Sequence, residues 1–313
     1  MSKFEKPNRA ALLPYLELTD PAKGLPRERI LEVLEAGDSF PSLSAAVLKL
    51  ARLAKDDAVG MDELSELISK EPGLATNCIK AASTSRFGGG VVRSVNDAAL
   101  RLGAQEIRRV AASIGVMDRF NHLRVTVDWQ RFWLHSLLVA RLSDQISKGF
   151  RQVTGMEYLA GLLHDAGKLL VAHYLPRKFE TVLERAWSHQ RGHISAEREV
   201  MGLDHAQIGA ALCHCLQVHP HVRTAVWLHH DPANPHLLRM PGGDKGFLAA
   251  VVGFADVLAH KASEALGHER KTDTPYDEMP EWQQLIEFDP IHGLELDTEN
   301  DLAAAEADLK AFT

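Results

Sequence analysis

Tyr158-Leu-Ala-Gly-Leu-Leu-His-Asp-Ala-Gly-Lys-Leu-Leu170 is an apolar run that carries His164, Asp165 and Lys168 where packing residues are expected. Glu157 to His164 has the apolar spacing of a helix. An imidazole beside a carboxylate, flanked by Leu162, Leu163, Leu169 and Leu170, is costly to bury unless both groups are satisfied. A hydrogen-bond network or a metal ion would satisfy them, and a ligand pair is the economical reading.

Outward from that run the periodicity stays helical. On the C-terminal side, Pro176 to Gln190, Asp204 to Leu216, Val222 to His230 and Phe247 to Ala265 read as helices. On the N-terminal side, Trp129 to Gly149 carries a stripe of Phe132, His135, Leu138, Val139, Leu142 and Ile146, which turns His135 inward. Earlier still, Ile30, Val33 and Leu34, the segment Leu43 to Leu53, and Met61 to Lys70 repeat at helical spacing. Pro72 begins another helix that Gly88-Gly-Gly ends. Ser94 caps a helix, and Gly103 separates it from the next, over Ile107, Val110, Ile114 and Met117. Pro232, Pro235, Pro241 and Gly242-Gly243 make Asp231 to Lys245 an expected exposed loop. No stretch alternates as a strand, so the fold class is all-α.

Composition narrows the function classes. The 35 Lys+Arg against 42 Asp+Glu give a net charge of -7, which opposes phosphate-driven nucleic-acid binding. The three cysteines, Cys78, Cys213 and Cys215, match neither a disulfide framework nor a CxxC zinc knuckle, and a reducing cytoplasm fits them best. Neither a signal-peptide core nor an apolar run of membrane-spanning length is present, so no membrane role is expected.

The residues that break the apolar pattern are, in order, His135, His164-Asp165, His205, His229-His230 and Asp256, each on a different helix or helix end. Asp256 lies amid Val251, Val252, Phe254, Val257 and Leu258, where an unpaired carboxylate is expensive. Imidazole and carboxylate donors from several helices suit iron, manganese, zinc or a related divalent metal. The other histidines, His193 and His260 among them, are read as ordinary residues satisfied by their neighbours.

This ordered set resembles the HDOD family, the signalling output relatives of HD-domain metal-dependent phosphohydrolases. The likeness runs from about Leu25 to Leu266. It is carried by Phe40-Pro41, Ile68-Ser-Lys-Glu-Pro-Gly-Leu-Ala75, Ser94-Val-Asn-Asp-Ala-Ala-Leu-Arg-Leu-Gly103, Phe132-Trp133, His135-Ser136, Gly161-Leu-Leu-His-Asp-Ala-Gly167, Gly202-Leu-Asp-His-Ala-Gln-Ile-Gly209 and His229-His230. It implies an HDOD domain over 26–268 with a helical half at 26–120 packed on an HD-like half at 127–268; before it, Pro7, Pro14, Pro21 and Pro26 mark 1–25 as an N-terminal arm, and after it the polar stretch 269–313 reads as a C-terminal tail with a short acidic helix over Asp297 to Phe312. It also implies one divalent ion (Fe, Mn, Zn, Ni or Mg) on His135, His164, Asp165 and Asp256. A second ion would share Asp165 and add His205 and His229, with His230 adjoining the set.

In the catalytic relatives, Asp165 would hold the ions and Lys168 would face a phosphate; Lys168 reads equally as a solvated residue after a helix break. Two departures set the chain apart from HD-GYP phosphodiesterases. Asp231-Pro-Ala-Asn-Pro replaces a Gly-Tyr-Pro loop, and Arg131 stands where trinuclear versions carry a glutamate. The preferred expectation is therefore a regulatory output module that binds a signalling protein or a small nucleotide. An active phosphohydrolase on a nucleotide or other phosphoester is the alternative, and a metal-free interaction protein is the third.

Overall fold

The computed structural model describes residues 8–36, 47, 49, 61–84, 90–125, 127–189, 192–232, 245–264, 275–287, 294 and 296–312. Among the described residues every regular element is helical and no strand occurs, so the chain is all-α. In order these are α1 (Arg9–Leu12), α2 (Gly24–Ala36), α3 (Met61–Ser69), α4 (Pro72–Ala82), α5 (Val95–Phe120), α6 (Trp129–Lys148), α7 (Met156–Leu163) and α8 (Ala166–Tyr174). They continue as α9 (Pro176–His189), α10 (His193–Met201), α11 (His205–Cys215), α12 (Pro220–Leu228), α13 (Lys245–Glu264), α14 (Pro280–Ile286) and α15 (Thr298–Phe312). The helix expected over Leu43 to Leu53 falls almost wholly outside the described residues, as do Gly88, Gly89 and most of the loop expected from Asp231 to Lys245.

The chain divides into two compact units, each discontinuous in sequence. Unit 1 comprises Met1–Ser42, Phe120–Trp129 and Leu163–Ala249; unit 2 comprises Leu43–Arg119, Gln130–Leu162 and Ala250–Thr313.

In unit 1 the local chemistry sets where α10 ends and α11 begins. Gly202 closes α10 in the left-handed region at φ 74°, a conformation that costs a residue with a Cβ, and its N–H bonds to the Arg198 carbonyl at 2.9 Å. Its own carbonyl accepts from the Thr19 N–H at 2.9 Å, which ties the N-terminal segment to this turn. Leu12 and Leu16 in that segment are fully buried, and Tyr15 meets Trp227 edge-on at 5.4 Å. Two residues on, Asp204 opens α11 with a capping box: it accepts from the Gln207 N–H at 2.9 Å, while Gln207 accepts from the Asp204 N–H at 3.0 Å. Both bonds hold His205 at the first position of α11.

Unit 2 has its apolar centre in residues such as Val110, Ile114, Leu137, Leu138 and Leu142. Gly103 interrupts α5 at φ 79° and ψ 163°, the separation expected at that glycine. A Cβ on Gly161 would stand 2.7 Å from the Ala140 Cα, so only glycine lets α7 lie this close to α6. A charge cluster is buried here as well. Arg141 bonds Asp308 of α15 at 3.1 Å and Glu106 at 2.6 Å, and Arg109 bonds Asp144 at 2.7 Å. Mutual pairing offsets the desolvation of these groups. Trp282 of α14 packs against Phe254 at 5.2 Å and Phe150 at 6.0 Å.

Candidate metal centre

The centre in unit 1 starts from the turn His164-Asp165 between α7 and α8. Asp165 occupies the position that caps α8, where an aspartate side chain ordinarily accepts from the first backbone N–H groups. No such bond forms. Its carboxylate is drawn instead to three basic groups: Lys168 Nζ at 2.6 Å, His205 Nε2 at 3.0 Å and His164 Nε2 at 3.5 Å. Although burial opposes ionisation, Lys168, His164 and His205 hold this carboxyl well below the usual carboxylate range. Lys168 thus lies in the first turn of a helix, with Asp165 as its partner.

Gly167 brings Asp165 to His205. A Cβ there would fall inside the radius of the His205 carbonyl oxygen and 2.8 Å from the Gly209 nitrogen, so α8 and α11 cross at a Gly167–Gly209 contact. His205 is fully buried, and its Nδ1 donates to Glu197 Oε2 at 2.7 Å. Its Nε2 faces Asp165 and also His230 Nε2, at 3.2 Å. Burial opposes the charge on this ring, yet Glu197 and Asp165 push its pKa up to about 9. Glu197, itself fully buried, is held well below the carboxylate range against burial, by His205 first and also by His193.

His229 follows α12 directly. It is buried, and its Nδ1 lies 2.9 Å from the Val226 carbonyl oxygen. A carbonyl only accepts, so the ring donates through Nδ1. His229 and the more exposed His230 lie with ring centres 3.9 Å apart and ring planes tilted by 42°. One donor atom each from His164, Asp165 and His229 lies within 4.8 Å of the others, and the same holds for His205, His229 and His230. Imidazole nitrogens with a single ionised carboxylate fit a divalent transition ion; a calcium site would call for mostly oxygen donors.

Six of the residues singled out in the sequence, His164, Asp165, Lys168, His205, His229 and His230, therefore meet in unit 1. The other two, His135 and Asp256, meet in unit 2, with Nε2 of His135 3.0 Å from Oδ1 of Asp256. His260, one turn beyond Asp256, places its Nε2 3.3 Å from the same oxygen, and its ring lies 4.5 Å from that of His135. The sequence reading passed over Glu197, His193 and His260. Glu197 had a signal, since Ala196, Val200 and Met201 place it on the inner stripe of α10, but the surrounding Glu-Arg-Glu charges mask it.

The HDOD domain model matches residues 40–232 of this chain. A Treponema pallidum protein, described only as uncharacterized, is 23% identical over 265 residues, which cover 80% of this chain and 46% of that protein. The chain thus spans about half the length of this relative. Among solved structures, an HDOD domain protein of unknown function from Geobacter sulfurreducens aligns with a TM-score of 0.71 at 21% identity, covering 91% of this chain and 97% of its own. A candidate signal transduction protein from Marinobacter aquaeolei gives 0.66 at 20% identity, over 94% and 68% of the two chains. A candidate phosphohydrolase from Shewanella amazonensis gives 0.60 at 20% identity, over 91% and 97%. At these identities the likeness shows the shared fold.

Proposed function

The chain belongs to the HDOD domain family, and from that membership we propose that it is a signalling output module built around a divalent-metal centre. The observation that carries the reading is the convergence of His164, Asp165 and His229 donors within 4.8 Å, with His205 joined to Asp165. Asp165 is the shared carboxylate, and His205, His229 and His230 form its imidazole wall. On the family pattern, His135 and Asp256 would complete the ligand set and Asp165 would serve two ions; that part rests on sequence alone. When present, a divalent ion supplies Lewis-acid chemistry, the property that HD-type phosphoester hydrolysis needs.

The module works through a signalling protein or a small nucleotide, in keeping with the absent Gly-Tyr-Pro loop. Among the described residues no helix is long and apolar enough to cross a membrane. We place the protein in a reducing cytoplasm, which suits its free thiols; burial pushes those of Cys78, Cys213 and Cys215 up to about 12.

A second reading, a metal-dependent phosphohydrolase on a nucleotide or other phosphoester, is favoured by Lys168. Its ammonium stands 2.6 Å from the shared carboxylate and is part-exposed, so it could turn to a phosphate without leaving the centre. The two readings separate in one assay. Untagged protein loaded with Mn2+ or Zn2+ is expected to bind the ion in calorimetry and to leave bis(p-nitrophenyl) phosphate and nucleotide diesters intact. Turnover that disappears in Lys168→Ala would replace the first reading with the second.

A further inference from the structure

His193 and Glu197 gather on the far side of His205 from Asp165, one donor atom each of His193, Glu197 and His205 lying within 4.8 Å of the others. Glu197 sits fully buried on α10 and divides its two oxygens. Oε1 lies 3.1 Å from His193 Nδ1, on the preceding turn of the same helix. Oε2 accepts twice from His205: from its backbone N–H at 2.9 Å and from its ring Nδ1 at 2.7 Å. An ionised carboxylate only accepts, so Nδ1 of His205 carries a proton. The opposite nitrogen, Nε2, is then the one turned to Asp165 at 3.0 Å and His230 at 3.2 Å. His229 likewise engages its Nδ1, with the Val226 carbonyl, so two imidazoles of the centre are tied through the same ring nitrogen.

We propose that Glu197 is a positioning residue for the metal centre: it locks the His205 ring so that Nε2 is the nitrogen presented to the ion, and His193 in turn fixes the carboxylate. This rests on the metal reading above and deepens it. Carboxylates and carbonyls that receive the far N–H of a ligating histidine orient the ring and raise its basicity. Here one residue does so through two bonds, gripping the main chain as well as the ring, which leaves His205 no rotation about its side chain that keeps both contacts. His193 hydrogen-bonds Glu197 and meets the His205 ring only edge-on, with centres 6.2 Å apart, so its removal acts on His205 chiefly through the carboxylate.

The substitution Glu197→Gln is informative because it keeps the shape while removing the negative charge that the His205 Nδ1–H faces, and an amide NH2 turned toward His205 would meet two donors. With Zn2+ alone as probe, titrated into the untagged, metal-stripped full chain, Glu197→Gln is expected to bind roughly 10- to 100-fold more weakly than wild type. Its far-UV circular dichroism should be unchanged, and His193→Ala should lose only a few-fold. Long-range 1H–15N NMR of the zinc-loaded wild type should show His205 coordinated through Nε2, with a slowly exchanging proton on Nδ1. Coordination through Nδ1, or a Glu197→Gln affinity within twofold of wild type, would overturn the proposal while leaving the metal reading in place. A wild type that takes up no zinc would remove the metal reading and the proposal together. If Glu197→Gln does not fold, the wild-type spectrum decides alone.

Discussion

Asp165 has three basic groups within 3.5 Å and none of the backbone donors that its position at the start of α8 would offer. This concentration of charge around a buried carboxylate is what makes His205 sensitive to pH. The His205 pKa is raised from 6.5 to about 9 in the folded chain, so its ion pairs stabilise the metal-free protein fully below about pH 6.5 and are lost as pH rises through 9. The depressed Asp165 and Glu197 act in the opposite sense, stabilising above their unfolded values near pH 4 and losing that effect only in acid. Metal-stripped protein should therefore show a falling thermal midpoint between pH 6.5 and 9.5. Glu197→Gln should flatten that slope; a wild-type midpoint that is level or rising across the window would show that His205 is not held as a cation. At this scale the sequence was legible where apolar context exposed the polar residue, as with His164, Asp165 and Asp256. It was opaque at Glu197, whose charged neighbours Arg198 and Glu199 gave the segment the look of a solvated face.

Helix packing turns these residues into a site. The distance from Asp165 to His205 is set by the crossing of α8 and α11 at Gly167 and Gly209, where a Cβ would meet backbone atoms that cannot rotate away. Gly167→Ala should force the helices apart, at a cost of about 1–3 kcal/mol in chemical denaturation. It should also weaken divalent-metal binding, because Asp165 and His205 separate with the helices; unchanged stability and affinity would mean that the crossing is not what positions them. The amphipathic helices were legible from their periodicity, and α6, α9, α11 and α13 lie within a few residues of where it put them. Two of the helices that the apolar count did not find, α8 and α10, are both nine residues long and carry their functional groups on the inner face. Polar residues at core positions subtract from the signal used to detect them. Lys168, read as following a helix break, belongs to the first of these.

For the molecule as a whole, an all-helical chain and an ordered set of histidines and aspartates could both be read from residue types and spacing. The division of the chain could not, because each compact unit collects segments far apart in sequence, such as α2 with α11 in unit 1 and α6 with α15 in unit 2. Periodicity reports which face of a helix is buried and says nothing of its distant partner. The buried Arg141–Asp308 pair, 167 residues apart, is of the same kind: neither residue is marked by its neighbours in sequence. The central claim, that this fold holds a divalent ion on Asp165 and the imidazoles around it, depends on all of these contacts at once. Elemental analysis by inductively coupled plasma mass spectrometry, on untagged wild type and Asp165→Ala purified side by side, tests it most directly. A divalent transition metal near or above one equivalent in the wild type, reduced at least tenfold in a folded Asp165→Ala, is the predicted result; equal content in the two proteins, or no metal in the wild type, would contradict it.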